Sequence, residues 1–461
     1  MRELEKPILI SINEFSHERL LELVTNPDFN HLINKINEEY FYWDKVKYMD
    51  MPEGVNPIEA WSFAKFRRLQ SPYKISMGGY KFGWSLPARI QAILHFLDLN
   101  IGGSLETRSL IASDDKHRYL ISSIMEEAIA SSQIEGAVTT HKQAKDMLRK
   151  RRNPRNRSEQ MIANNYQTIQ RILEIKDQKL TTQKLLEVHR LITTDTLDNH
   201  DEEGQFRRSN DINVVDSVDN EIVYRPPIVD ELPKLIEDLC DFFNEENNGE
   251  FMHPIIKGCI IHFMIGFIHP FADGNGRTAR ALFYWYLLKK GYWLTEYLSI
   301  SRLILRSKVQ YAKAYLFTET DDNDLTYFIS YQVRTMRLAF DSLREYIQRK
   351  IHEKRQVSEF LKLDNVNDRQ ALILKWIYEE PSLLLTAKDV EARLGVSNQT
   401  ARSDLRGLLQ DEFLAEISIN KKTSAYGKGR NFDSEFKNQF RDIPFRTRRS
   451  NTNENQGKLF E

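Results

Sequence analysis

Cysteine is almost missing from this chain, with two residues, Cys240 and Cys259, in 461. Two thiols cannot build a disulfide framework, nor a zinc site by themselves. Both fall in apolar stretches of helical spacing, where buried thiols are expected. No apolar run reaches the ~18 residues that a membrane-spanning helix needs. Residues 1–15 lack the long apolar core of a secretion signal, so a cytoplasmic location without a membrane partner is expected. An excess of one charge is missing too. Lys and Arg number 65 against 66 Asp and Glu, a formal net charge of -1. That excludes a global field for nucleic acid or anionic lipid and leaves local basic patches. What remains is ordinary globular composition, 41% hydrophobic and 28% charged. The length implies roughly three domains.

One segment concentrates the chemistry: His269-Pro270-Phe271-Ala272-Asp273-Gly274-Asn275-Gly276-Arg277-Thr278-Ala279-Arg280. Gly274 and Gly276 let backbone N–H groups curl into a concave anion nest that a side chain would obstruct. The helix read from Arg277 through Lys290 offers unpaired N–H groups and a positive dipole end to phosphate. Arg277 and Arg280 stand three apart and reach one side of its first turn, with Thr278 and Ala279 between them in the same triphosphate-facing turn. Asp273 is a hard oxygen ligand suited to a phosphate-bound Mg²⁺. His269, just upstream, can titrate near neutral pH. Phe271 is read as the anchor of the loop in the core. The segment therefore reads as a site for a nucleoside triphosphate.

Written His-Pro-Phe-x-x-Gly-Asn-Gly-Arg-x-x-Arg, the segment resembles the signature of the Fic family, with every fixed position filled. The resemblance implies a mainly α fold, a Fic-type helical core with a small β-hairpin flap. It implies transfer of AMP from ATP to Ser, Thr or Tyr hydroxyls of proteins, self-modification included. His269 would accept the hydroxyl proton as the oxygen attacks the α-phosphorus. Asp273 would hold Mg²⁺, while Asn275 and the N–H groups of Gly274 and Gly276 cradle the phosphates. Arg277 would neutralise the β-phosphate and Arg280 the γ-phosphate. Relatives on this fold move other groups or remove AMP, and a DNA-binding regulator using the core as an ATP sensor is a further alternative. Gly276 resembles the AMP-transferring members, since phosphate-transferring ones commonly carry lysine there.

A second motif lies upstream. Residues 116–148 have helical spacing, with Leu120, Ile121, Ile124, Ala128 and Ile134 as an apolar stripe. Ser131 and Glu135 stand four apart on one face, and Gly136 reads as a helix stop. Alone, this pair is an ordinary solvated face. Beside the nucleotide motif it resembles the inhibitory Ser/Thr-x-x-x-Glu-Gly/Asn motif of one class of Fic proteins. The resemblance implies that Glu135 pairs with Arg280 and denies it to the γ-phosphate.

The rest of the chain is read as follows. Residues 1–104 form a mixed, mostly helical extension broken by turns at Met51–Gly54 and Met77–Tyr80. Its aromatics, Tyr40 to Trp43 and Tyr80, Phe82 and Trp84, are assigned to packing before nucleobase stacking. Residues 105–345 hold the inhibitory helix and the Fic core. Within them, Arg149–Arg157 is a basic run, read as a solvated interhelical loop with nucleic-acid contact as the alternative. Residues 212–224 carry two β-favouring runs around a turn at Asp219-Asn220, a hairpin that by resemblance holds the protein target by strand addition. An apolar helix over 251–267 delivers the motif. His262 and His253 are read as core or loop histidines, without zinc spacing. Residues 301–315 resemble the family helix that walls the adenine pocket. Ser307 stands there in place of the family's asparagine, with Tyr311 as an alternative wall. Residues 346–366 are a linker helix. Residues 367–440 resemble a winged helix-turn-helix, with Asn398, Gln399, Thr400 and Arg402 facing a DNA major groove and residues 386–430 as the DNA-contacting stretch. A protein-binding or dimerisation module is the alternative. Residues 441–461 are read as disordered. A homodimer that locks the inhibitory helix is a further expectation.

Overall fold

Side-chain caps mark where several helices of the computed structural model begin, and amphipathic or wholly apolar periodicity carries them onward. The side chain of Asn26 accepts from Asp28 and Phe29 N–H ahead of Pro27–Glu39, and Asn56 closes a capping box with Glu59 ahead of Pro57–Leu69. Asn156 caps Arg157–Ile175, and Thr181 caps Thr182–Thr193. The structure describes residues 4–71, 73–102, 113–215, 222–245, 251–363, 365–420 and 423–432. These are mainly α-helical. Among them no helix is long and apolar enough to cross a membrane.

Two compact units divide the chain, one running to Leu343 and one beginning at Arg344, inside the long helix Thr326–Phe360. At the centre of the first unit lies Pro254–Ile268, apolar on nearly every side and buried almost throughout, as a core helix must be. It packs against Asn275–Lys289, itself buried along most of its length. The helices Ser113–Ile134, Arg157–Ile175 and Thr182–Thr193 pack around this pair. The helical stretch over 116–148 is two helices, Ser113–Ile134 and His141–Arg149, parted at Gly136, φ 94°, the residue read as a helix stop. Cys240 and Cys259 are buried free thiols.

The extension differs from its mostly helical reading in one respect. Met77-Gly78-Gly79-Tyr80 does not merely interrupt helices; it turns an antiparallel hairpin, Tyr73–Met77 with Tyr80–Trp84. Gly78 and Gly79 have φ of 57° and 85°, the positive values that a two-residue hairpin turn matched to strand twist demands. Tyr40, Tyr42, Trp43, Phe82 and Trp84 are all buried, with Tyr42 stacked on Phe317 at 4.3 Å. Arg68 binds the Tyr327 hydroxyl at 2.6 Å and the Phe41 carbonyl at 2.9 Å. A second small hairpin pairs Val214–Val215 with Ile222–Tyr224, and its Asp219-Asn220 turn lies outside the described residues.

The second unit has its own core, including Ile373, Leu374, Leu405 and Leu408. Its helices are Asp368–Glu379, Ala387–Leu394 and Asn398–Gln410. Strand Leu385–Thr386 pairs with Thr423–Lys428, which pairs in turn with Leu414–Asn420, both antiparallel. Lys421, Lys422 and residues 441–461 lie outside the described residues.

Candidate active site

The bend after the central helix is built by backbone hydrogen bonds. His269 ends Pro254–Ile268 in the left-handed conformation, φ 48° and ψ 56°, which costs a non-glycine residue roughly 1–2 kcal/mol. Arg207, buried to 5% exposure, holds it there. Its Nε donates to the His269 carbonyl at 2.9 Å and its backbone N–H to the Pro270 carbonyl at 2.9 Å. Its terminal nitrogens go to the carbonyls of Ser209 and Pro227. The His269 ring places Nδ1 3.3 Å from the Gly266 carbonyl. A carbonyl only accepts, so Nδ1 carries the hydrogen and Nε2 keeps its lone pair. Burial lowers the ring's pKa, which keeps it neutral and ready to take a proton.

Phe271 is fully buried between the His189 ring, stacked at 3.7 Å and 5°, and Phe206 at 5.5 Å. Asn275, expected to cradle phosphate, turns its amide back on the loop. It accepts from Phe271 N–H at 3.0 Å and donates to the Phe271 carbonyl at 2.9 Å. Gly274 caps the following helix at φ 83°, and its N–H donates to the Asp273 carboxylate. Helix Asn275–Lys289 therefore starts two residues before the expected Arg277.

Charge converges at that helix start. Arg277 is 1% exposed, gives one terminal nitrogen to the Ile192 carbonyl at 3.0 Å and lies 3.7 Å from Asp273, while its Nε has no hydrogen-bond partner among the described residues. Arg280 is 2% exposed. It donates to Ser131 Oγ at 2.8 Å, to the Ser131 carbonyl at 3.1 Å and to Glu135 Oε1 at 2.7 Å, leaving Nη1 without a partner among the described residues. Buried guanidinium donors left over in this way suit an anion. The Glu135 carboxylate lies against the same turn: a β-carbon at Gly276 would overlap it. The glutamate thus lies against the N-terminal turn of the helix, where a phosphate would go. Asp273, with a side chain 48% exposed, also faces Arg157 at 3.9 Å. One open carboxylate beside a phosphate site fits Mg²⁺, which prefers one or two protein carboxylates completed by phosphate oxygens and water.

Residues 179–287 match the Fic/DOC family model. This segment is a Fic/DOC domain. The chain is 32% identical over 117 residues to a protein adenylyltransferase Fic of Nematostella vectensis, covering 25% of each chain. It is 34% identical over 116 residues to one from Drosophila willistoni, 25% of this chain and 21% of that one. The chain thus spans about a quarter of the length of the curated relatives it matches. Among solved structures it is similar to a Fic family protein from Desulfovibrio desulfuricans, with a TM-score of 0.46 at 23% identity over 78% of this chain and 98% of that one. It is similar also to Fic-1 from C. elegans, with a TM-score of 0.48 at 17% identity over 74% and 94%.

Ser131 and Glu135 lie upstream of the matched Fic/DOC segment, yet the fold brings both onto Arg280. Thr278 and Ala279 are fully buried inside the motif helix. The helix expected over 301–315 is split at Ser307 into Ile300–Arg306 and Lys308–Thr320. Ser307 turns inward, its hydroxyl 2.9 Å from the Leu303 carbonyl and 2.8 Å from the Tyr331 hydroxyl. Tyr311 meets His262 Nε2 at 2.9 Å and lies near Arg280, within the same wall. His253 caps its helix and reaches Asp98 at 3.0 Å.

Four residues escaped sequence reasoning. His189 accepts from Gly204 N–H at 3.1 Å and donates to the Asp273 carbonyl at 2.9 Å. Arg207 fixes the bend. Lys308 donates to the carbonyls of Gln133 and Ile134 at 3.1 and 3.3 Å, at the negative end of helix Ser113–Ile134. Arg157 left the basic run to face Asp273. None carries a local pattern; each acts on a segment distant in sequence. Asp195, His200 and Glu203 bring ligand atoms within 4.8 Å of one another, but Glu203 is already engaged by Asp195 N–H and His200.

Proposed function

We propose that the Fic/DOC domain transfers AMP from ATP to a hydroxyl side chain of a protein, and that Glu135 holds it inhibited. The observation that carries this reading is the Glu135–Arg280 pair lying over Gly276 at the start of the motif helix, beside a neutral His269. The target hydroxyl oxygen forms a bond to the α-phosphorus as the bond from that phosphorus to the bridging oxygen breaks. His269 Nε2 takes the hydroxyl proton, and pyrophosphate leaves. Mg²⁺ held at Asp273 would neutralise phosphate charge. Arg277 and the start of the helix bind the remaining phosphate charge, and Arg280 joins them once Glu135 withdraws. A misplacement of about an angstrom costs on the order of 10²-fold, enough for the latch to silence the reaction. The hairpin Val214–Val215 and Ile222–Tyr224, with Val215 and Ile222 about half exposed, offers main-chain groups to an extended target segment.

The test is incorporation of labelled AMP by the full chain. Wild type stays low, Glu135→Gly rises on the order of 10²-fold, and Glu135→Gly with His269→Ala returns to background. A Glu135→Gly protein no faster than wild type removes the latch, and a double variant that still labels removes His269 as base.

A separate observation supports a second binding function. The helix Asn398–Gln410 has a single carboxylate, Asp404, buried and bound by Arg369 at 2.6 and 3.0 Å, so its outer face carries Arg402 and Arg406 without an opposing acid of its own. We propose that the C-terminal unit is a winged helix-turn-helix that binds duplex DNA through this face.

A further inference from the structure

Helix Lys308–Thr320 runs alongside the helix that ends at His269, and its residues descend in step. Tyr311 meets His262. One turn on, Tyr315 stacks on Phe263 at 5.3 Å, donates to the His262 carbonyl at 3.3 Å, and fills the space where Gly266 lacks a side chain. The next turn brings Glu319 to the level of Phe267, adjoining the bend. There both hairpins arrive: Tyr224 of the second donates to the Phe267 carbonyl at 2.9 Å, and Tyr80 of the first meets the Phe267 ring edge-on at 5.3 Å.

Glu319 has no hydrogen bond or ion pair among the described residues, although two tyrosines stand beside it. Both phenols spend their hydrogens on backbone carbonyls instead. Arg207, which holds the bend, has its side-chain nitrogens committed to three carbonyls. A partly buried carboxylate without a donor is an expensive arrangement unless something arrives to use it. Burial, with nothing to offset it, pushes the Glu319 carboxyl well above the usual carboxylate range. Burial first, with the Glu319 charge among the further causes, does the same to the Tyr224 and Tyr315 phenols.

We infer that Glu319, flanked by Tyr224 and Tyr315, is a subsite for a cationic side chain, Lys or Arg, on the protein segment that presents the acceptor hydroxyl. A cation placed beside Glu319 favours its ionised form, so the carboxylate supplies the counter-charge while aromatic rings attract the desolvated cation, a combination suited to ammonium or guanidinium. One carboxylate among phenols is too few ligands for a metal ion. The subsite lies where the hairpin meets the His269 bend, so it would set how the segment is placed relative to the base. This inference rests on the proposed transfer reaction for its occupant.

The experiment uses the full chain carrying Glu135→Gly and a fluorescein-labelled peptide library, with a central Ser, Thr or Tyr and randomised flanks. Captured peptides and AMP-labelled peptides are sequenced separately. One flanking position should favour Lys or Arg over Ala and citrulline by about ten-fold. Glu319→Gln, close in shape, should erase that preference with an unchanged melting temperature, and Glu319→Lys should turn it toward Asp and Glu. An undiminished basic preference in Glu319→Gln overturns the subsite. AMP labelling without any basic preference also overturns it while leaving transfer intact. Capture with the basic preference but no labelling supports the subsite and sinks the transfer reading instead.

Discussion

His189 stands between two backbone groups, accepting from Gly204 N–H and donating to the Asp273 carbonyl, and only the neutral ring can do both. Burial pushes its pKa down to about 4 from an ordinary 6.5. Between those values the unfolded chain binds a proton that the folded chain refuses, so stability falls as pH falls from 6.5 toward 4. The loss between pH 7 and pH 5 amounts to about 2 kcal/mol for this one ring. His262, equally enclosed between Tyr311 and Gln332, adds to it in the same direction. His189→Gln can supply an acceptor and a donor without titrating. Its urea-unfolding stability should therefore lose about 2 kcal/mol less than wild type over this interval. Equal losses would show that the ring is not buried neutral. Such a residue is invisible in sequence because its partners, Gly204 and Asp273, lie far along the chain. Arg207 is hidden for the same reason, whereas His269 and Asp273 are legible because their motif is contiguous.

At the scale of elements, the latch proposed for the end of helix Ser113–Ile134 would have two fastenings. Glu135 grips Arg280, and Lys308 binds the last carbonyls of the helix, Gln133 and Ile134. A cation at a helix C-terminus contributes ~0.3–1 kcal/mol. Lys308→Ala should therefore raise AMP incorporation roughly two- to five-fold, well short of Glu135→Gly. No rise would mean that the glutamate alone holds the latch. The Glu135–Arg280 contact is expected from resemblance to the Ser/Thr-x-x-x-Glu-Gly/Asn motif, since the spacing of Ser131 and Glu135 alone reads as a solvated face. The Lys308 contact is missed because Lys308 is one lysine among many. Sequence reasoning placed the second hairpin from two short β-favouring runs around a turn. It took Gly78-Gly79 for a mere break, since a turn signal by itself does not say whether helices or strands flank it. It joined Ile300–Arg306 to Lys308–Thr320 because nothing local announces that Ser307 turns its hydroxyl back to Leu303 and across to Tyr331.

For the whole molecule, near-zero net charge hides an uneven distribution. On Asn398–Gln410, Gln399, Arg402, Ser403, Arg406 and Gln410 are exposed at helical spacing, while Asp404 is turned inward to Arg369 and Asn367. Neither Arg402 nor Arg406 has an ion pair among the described residues. A helix that withdraws its carboxylate and presents arginines with amides suits a groove lined by phosphates and base edges. Binding of the full chain to a labelled 30-base-pair duplex of random sequence should weaken steeply between 50 and 200 mM salt. Arg402→Ala and Arg406→Ala should each lower the slope of log affinity against log salt by about 1 where they contact phosphate. His269→Ala should leave that binding unchanged, since the proposed base has no part in it. If the double substitution Arg402→Glu with Arg406→Glu binds the duplex as tightly as wild type at 50 mM salt, this face does not read DNA.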